Sequence, residues 1–361
     1  LNRIEMKNIG LSAGLAREAA CYDDLFIGRV SSQSRDLYQV VTQSGEILAE
    51  VSGKLRYEAK SVADYPAVGD FVMVDRWENT GGNAIIHHVL PRKSAFTRKA
   101  AGTAYDMQII AANIDTVFIC MSLNHDYNLR RLERYLAIAW DSGATPVVVL
   151  TKSDLCKDAD KKMAEVASVS IGVEVLLTTS LSGDGYQPVK QYLRQGETIA
   201  FIGSSGVGKS TLINRLSGNE ILDVGEIRDD DKGRHTTTRR QMILLPDKGI
   251  VIDTPGMREL AIDSADLAKA FAEIDELALQ CRFRDCAHER EPGCAVRAAI
   301  ENGSLPEERL ISYQKLRKEA KYEGLTAKEI ETEKINTMFS QFGGVKNARD
   351  FIKEKNKQKR R

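Results

Sequence analysis

Nine consecutive residues, Gly203-Ser204-Ser205-Gly206-Val207-Gly208-Lys209-Ser210-Thr211, have the types and spacing of a backbone cradle for phosphate oxygens. Glycines let successive N–H groups converge on an anion without Cβ clashes. The stretch follows an apolar run, Thr198–Ile202, and opens a run carrying Leu212, Ile213 and Leu216 at helical spacing. A strand before and a helix after are the context such a loop needs, because the helix N-terminus adds a favourable dipole. Lys209 is expected to span β and γ phosphates, and Ser210 to hold Mg²⁺.

Asp253-Thr254-Pro255-Gly256 lies forty-four residues beyond Lys209, directly after the apolar Gly-Ile-Val-Ile. Asp253 at a strand end is placed to hold the metal through water, and the Gly256 N–H to sense a γ-phosphate. Between the two motifs runs Gly233-Arg234-His235-Thr236-Thr237-Thr238. A threonine on a mobile loop can close on Mg²⁺ and the γ-phosphate together. Thr237 and Thr238 both fit, and Thr237 is preferred.

Thr151-Lys152-Ser153-Asp154 ends another apolar run, Pro146–Leu150. A single carboxylate, Asp154, can accept both the N1–H and the exocyclic amine of guanine, a pairing adenine cannot offer. Lys152 is expected to pack its aliphatic stem over the ring. The usual pattern at this point is Asn-Lys-x-Asp. Thr151 keeps a hydroxyl but loses the amide that ties this loop to the phosphate loop, which predicts modest affinity. Thr179-Ser180-Leu181-Ser182-Gly183 comes after the next apolar run; Ser180 there is either a contact to guanine O6 or part of an ordinary turn.

Cys281, Cys286, His288 and Cys294 fall within fourteen residues. Three thiolates and one imidazole make a closed tetrahedral zinc set, structural rather than catalytic because no position is left for water. The other cysteines, Cys21, Cys120 and Cys156, are scattered, so six cysteines in 361 residues do not form a disulfide scaffold. This cysteine usage implies a reducing, cytoplasmic setting. No apolar run reaches the length of a membrane span, and the first twenty residues lack a secretory apolar core.

Fifty-one basic residues balance fifty-one acidic ones, which points to a localised, shape-dependent partner rather than a general polyanion coat. The balance is uneven along the chain. From 341 to 361 there are eight Lys or Arg against two acids. Arg92, Lys93, Arg98 and Lys99 form a second basic stretch, and with Lys359, Arg360 and Arg361 they are candidate RNA contacts. A solubilising tail is the competing reading of the terminus.

Three kinds of pattern position these residues. From about Asp24 to Pro91, short β-type runs joined by Gly, Asn and Ser predict a small barrel, either oligonucleotide-binding or SH3-like, with no helix between its strands. From about Met107 to Asp263, Val/Ile/Leu runs alternate with amphipathic stretches. Leu129–Trp140, Ala159–Ala167 and Lys209–Leu216 read as helices, an arrangement that predicts a mainly parallel sheet covered on both faces. From Ser264 onward helix-like runs surround the cysteines, one of them starting at Ser304 with Pro306 in its first turn.

The order is diagnostic. Ordinary GTPases place the phosphate loop first and the guanine loops last; here the guanine loops come first, as a circular permutation would arrange them. With Pro-Ala-Val-Gly-Asp (66–70), Gly-Arg-His-Thr-Thr-Thr, Asp-Thr-Pro-Gly-Met-Arg-Glu and the cysteine–histidine cluster, the chain closely resembles the bacterial RsgA (YjeQ, YloQ) family across nearly its whole length. The resemblance implies a multidomain α+β protein. Its parts would be an oligonucleotide-binding barrel over 1–95, a circularly permuted α/β P-loop GTPase domain over 96–265, and a mainly helical zinc domain over 266–361. It further implies a cytoplasmic GTPase, monomeric when free, that binds the small ribosomal subunit and its 16S rRNA and hydrolyses GTP to GDP under ribosome stimulation. A ribosome-binding regulatory module with incidental hydrolysis is the alternative. Met257 stands where many GTPases carry a water-orienting Gln, so slow intrinsic turnover is expected. Both its place in the chain and the resemblance point to His235 as the replacement, working with Lys209; an RNA-contacting or structural role is the competing reading.

Overall fold

The computed structural model describes residues 4–79, 81–99, 107–124, 126–180, 182, 185–222, 241–245, 249–253 and 270–321. The first five strands are β1 (Phe26–Ser34), β2 (Leu37–Thr42), β3 (Gly45–Val51), β4 (Phe71–Val74) and β5 (Ala84–Val89). They run in the order β1-β2-β3-β5-β4, and β4 returns to pair with β1 from Phe26↔Val74 to Arg29↔Phe71. β3 and β5 are parallel and the other pairs antiparallel. That closure is the five-stranded Greek-key barrel of the oligonucleotide-binding type, which decides between the two barrels the sequence left open. Alternation is visible in β3, where Ile47, Ala49 and Val51 point into a core with Val30, Val40, Val72 and Ile86.

One barrel expectation fails. A helix, α2 (Gly53–Glu58), joins β3 to β4, started by the Ser52 hydroxyl accepting from the Leu55 N–H at 3.0 Å. Six residues are too few for helical period to show in sequence. A further short helix, α1 (Ala13–Ala19), precedes the barrel.

An antiparallel hairpin, β6 (Ala95–Lys99) and β7 (Met107–Ala112), leads into the second sheet. Its strands are β8 (Thr116–Ser122), β9 (Thr145–Thr151), β10 (Glu174–Leu177), β11 (Thr198–Gly203), β12 (Gln241–Leu245) and β13 (Gly249–Asp253), in the order β10-β9-β8-β11-β13-β12. All pairs are parallel except β12 with β13. The helices α3 (Leu129–Asp141), α4 (Ala159–Val169), α5 (Gln187–Lys190) and α6 (Lys209–Ser217) supply the crossovers. β8, β9 and β10 step outward in one direction; the chain then returns to lay β11 on the other side of β8. The reversal makes the β8–β11 boundary a topological switch point, where open α/β sheets bind ligands at the carboxyl ends of their strands.

The terminal helices are α7 (Ala272–Ala278), α8 (Ala295–Glu301) and α9 (Glu307–Lys321). Phe271, Ile274, Val296, Leu310 and Leu316 share one buried core with Leu132 and Leu136 of α3. A buried ion cluster lies beside it. Arg309 on α9 donates to Glu133 of α3 at 2.9 Å, to Glu273 of α7, and to the Ala270 carbonyl at 2.6 Å. Arg130 donates to both oxygens of Glu133 at 2.7 and 2.8 Å, so that fully buried carboxylate is not left alone. No helix among the described residues is long and apolar enough to cross a membrane.

Candidate nucleotide site and metal centre

The phosphate-loop sequence folds at the carboxyl end of β11, the strand at the switch point. Gly203 has φ of +144°, and a Cβ there would lie 2.3 Å from the Cys120 carbonyl oxygen of β8. Only glycine permits that approach. Gly208, at φ +99°, turns the chain into α6. Lys209 folds back so that its ammonium donates to the carbonyls of Gly203 at 2.8 Å and Ser204 at 2.6 Å. This holds a positive charge over the loop mouth. Burial pushes the Cys120 thiol up to about 12, against the pull of Lys209, so the sulfur beneath the loop stays protonated and inert.

The guanine-side residues converge on the same place. Thr151 ends β9, Lys152 adopts left-handed geometry at φ +55°, and Ser153–Leu155 form a 3-10 turn. The Ser153 N–H donates to the Thr178 carbonyl at 3.2 Å, fixing this turn to the segment after β10. Thr151 donates its hydroxyl to the Val207 carbonyl at 2.6 Å. The expectation that loss of an asparagine amide unties the two loops is therefore corrected, because the hydroxyl makes the tie. Asp154 is exposed, and its carboxylate accepts from the Thr179 hydroxyl.

Between these loops is a cleft of about 450 Å³, its open mouth included, lined by Thr151, Lys152, Ser180, Val207, Gly208 and Thr211 of the sequence-predicted set. Asp253 ends β13, two strands from β8. His235, Thr237 with its alternative Thr238, Gly256 and Met257 lie outside the described residues.

Three places in and beside the cleft have side chains assigned no role from sequence: the Thr179 and Tyr186 wall, Arg215, and Asn214. Thr179 and Tyr186 line the cleft, with Arg215 of α6 on its other wall. Thr179 was visible as a hydroxyl beside Ser180, whereas Arg215 is one of many exposed-type cations and carries no pattern. Asn214 is the third. Its side-chain oxygen accepts the N–H groups of Ile221 and Leu222 at 3.1 and 2.8 Å, and its amide donates to the Leu222 carbonyl at 2.7 Å. The chain entering the His235 stretch is thereby fastened to the helix that carries Lys209.

Cys281, Cys286, His288 and Cys294 bring their ligand atoms within 4.8 Å of one another. The His288 Nδ1 lies 3.4 Å from Cys294 Sγ and 3.7 Å from Cys281 Sγ, and the two sulfurs are 3.9 Å apart. Ligands at ordinary Zn–S and Zn–N lengths in a tetrahedron stand roughly 3.5–3.8 Å apart, so this donor set fits one metal ion. Backbone geometry builds the set. His288 takes φ +60° to aim its ring inward, and Cys294 caps α8, accepting from the Arg297 N–H at 3.4 Å. The Glu291 carboxylate accepts the N–H groups of Ala287, Glu289 and Arg290 at 2.8–3.0 Å, which draws its pKa down to about 2 and shapes the intervening turn.

A glycine-rich loop at a strand end, a cleft beside it and a Cys/His cluster that could hold a metal ion thus occur in one chain, and comparison with known proteins bears on them. A family profile described as RsgA GTPase matches residues 89–263, and one described as 50S ribosome-binding GTPase matches 198–332. A protein of Lactiplantibacillus plantarum named small ribosomal subunit biogenesis GTPase RsgA 2 is 52% identical over 353 residues, 98% of each chain. This chain belongs to the RsgA family of GTPases. An RsgA protein of Methanosarcina acetivorans is 44% identical and covers 88% of this chain and 87% of its own. Among solved structures, YjeQ of Thermotoga maritima superposes with a TM-score of 0.61 at 28% identity, over 82% of this chain and 98% of that one. YloQ, described as a circularly permuted GTPase, gives 0.58 at 23% identity over 83% and 96%, a likeness of fold.

The basic stretch of Arg92, Lys93, Arg98 and Lys99 is partly consumed by structure. Arg92 uses four N–H···O bonds internally, two on the buried carboxylate of Asp70 and two on the carbonyls of Ala63 and Tyr65. Those four bonds commit its guanidinium to internal partners. Lys93 pairs with Asp115 at 2.5 Å, and Arg98 donates to Gln108 at 3.1 and 3.3 Å. The backbone of Lys99 pairs with Met107 in the hairpin, while Lys359, Arg360 and Arg361 lie outside the described residues.

Proposed function

We propose that this GTPase binds the immature small ribosomal subunit through its 16S rRNA, assists late maturation, and leaves after hydrolysing GTP to GDP and phosphate. The observation that carries the reading is the Thr151–Val207 bond. It joins the loop read as guanine-facing to a phosphate loop that comes later in the chain, which supports one nucleotide site built in permuted order. The small-subunit role is drawn from what the relatives are named for.

In this reading the Asp154 carboxylate exchanges its Thr179 partner for the two guanine donors, and Lys152 packs over the ring while Ser153 holds the turn. Ser180 contacts guanine O6. The N–H groups from Gly203, Ser204, Ser205, Gly206, Val207 and Gly208 surround the phosphates. Lys209 swings from the loop carbonyls onto β and γ oxygens, with Thr211 closing the cradle. Ser210, Thr237 and Asp253 hold Mg²⁺, which when bound would supply charge neutralisation at the transferring phosphoryl group. Gly256 senses the γ-phosphate, and His235 orients the attacking water once the ribosome orders its segment. The metal of the Cys281, Cys286, His288 and Cys294 cluster is zinc, held structurally. Lys93, Arg98, Lys99 and the tail ending Lys359-Arg360-Arg361 supply phosphate contacts. We place the units at 1–95, 96–265 and 266–361, in a cytoplasmic protein that is monomeric when free.

GTP turnover measured with isolated small subunits, large subunits and naked RNA tests this. Stimulation by small subunits alone is expected. The large subunit is the sharpest control, since one matching profile carries a 50S description. Stimulation that is greater with large subunits, or equal with RNA alone, would overturn the reading. His235→Ala should sharply reduce stimulated turnover while leaving GDP affinity intact.

A further inference from the structure

Gln241 is the register partner of Ser32 in β1 on one side and of Asp253 in β13 on the other. One row across the sheets thus reads Ser32–Gln241–Asp253, from the barrel to the carboxylate that ends the metal-side strand. β1 reaches it through an irregularity. Its register against β2 shifts between Val30 and Ser32, while its earlier residues, Phe26–Arg29, close the barrel against β4. A bulge bends a strand and re-aims the residues beyond it. Here it carries the second half of β1 out of the barrel and onto β12, so that among the described residues the two sheets join at Ser32↔Gln241. Gln241 also stands six residues after His235 and four after Thr237 in the chain.

We propose that this row is the device through which RNA contact by the barrel sets the rate of hydrolysis, with Gln241 as the positioning residue. The inference rests on the proposed roles of Asp253 and of the small subunit. Paired strands keep a fixed spacing, and their register moves only in whole steps. A small rotation of the barrel therefore displaces β12 as a body. That displacement reaches Asp253 laterally, through its register with Gln241.

Both side chains are accessible, Gln241 exposed and Ser32 half-buried, so charges can be placed there without burying them. Like charges directly opposite push an antiparallel pair apart, and opposite charges hold it. The double variant Ser32→Glu/Gln241→Glu is compared with Ser32→Lys/Gln241→Glu and wild type in the full-length, metal-loaded protein. GDP affinity, basal turnover, and stimulated kcat against small-subunit concentration are measured. For the repulsive pair, stimulated kcat should fall about tenfold at an unchanged half-saturating subunit concentration, with basal turnover and GDP affinity within about twofold of wild type. The attractive pair should regain most of the loss. Wild-type stimulation in the repulsive pair, no recovery in the attractive pair, or an equal fall in basal and stimulated rates would each overturn the proposal. So would a change confined to the half-saturating concentration. An unstimulated wild type would sink the small-subunit reading itself, and this inference with it.

Discussion

The hydroxyl of Thr151 donates to the carbonyl of Val207 at 2.6 Å, which ties the loop ending β9 to the glycine-rich loop after β11. Both residues are buried, which raises the cost of losing the bond. Thr151→Val removes the donor to the Val207 carbonyl at a cost of about 1–3 kcal/mol, expected as a roughly 5- to 150-fold weaker GDP affinity. Thr151→Ser keeps the donor and should stay within about twofold. Titration calorimetry with GDP distinguishes them, and equal affinities for the Val and Ser variants would show that the tie is not used.

The two glycines Gly203 and Gly206 make different demands. At Gly203 a methyl group meets a backbone oxygen at 2.3 Å, whereas at Gly206 nothing lies within 4 Å and only the φ of +78° resists. Gly206→Ala should therefore cost about 1–2 kcal/mol. Gly203→Ala should cost upwards of about 3 kcal/mol, because β8 and β11 must separate. Melting temperatures of the nucleotide-free proteins give the ranking; similar values for the two would contradict the packing.

The ion cluster at Arg309 gives a prediction about assembly of the terminal helices. Arg309→Met leaves the buried Glu133 with Arg130 alone and should destabilise the packing of α9 by about 3–5 kcal/mol. Adding Glu133→Leu removes the stranded charge and should recover much of that loss, since an apolar pair of similar volume commonly replaces a buried ion pair at little cost. Hydrogen exchange across 270–321 reads this directly, and a double variant less protected than the single one would refute it.

Metal removal should act locally. Chelation frees three thiols, two of which crowd within 4 Å of each other and of His288, and the turn between Cys281 and Cys294 should lose protection first. The cleft at Thr151 shares no ligand with it, so GDP affinity should change by less than about threefold. Metal content measured beside exchange rates checks both parts; Cys286→Ser should reproduce the effect without a chelator.

Long patterned elements are the most legible in sequence. The apolar run Pro146–Leu150 predicts β9, which spans Thr145–Thr151; the pattern over Leu129–Trp140 predicts α3, which spans Leu129–Asp141. Seven buried residues in a row in β8 and a wide apolar face on α3 leave little ambiguity. The short α2 and the β6–β7 hairpin escape such a reading, the latter because its polar Thr97, Arg98 and Gln108 mask the alternation. In the site, motifs locate the loops but not the bonds between them. Thr151 to Val207 spans fifty-six positions, and Arg92 to Asp70 twenty-two, so neither pairing leaves a local trace. Arg92 shows the cost of that silence: a cation that reads as free for RNA is already committed to a buried carboxylate.

The placement of β11 has a consequence for how the chain is made. β8 is central in the finished sheet and buried along its whole length, yet the neighbour that covers one of its edges begins at Thr198, seventy-six residues after β8 ends at Ser122. At roughly 5–20 residues per second, synthesis leaves that edge open for about 4–15 s while β9 and β10 are already available on the other side. An unpaired apolar edge is where nascent chains mispair or aggregate. The order of these strands thus sets how long that edge waits for its partner, and a slowed stretch of translation between β10 and β11 should lower the yield of folded protein.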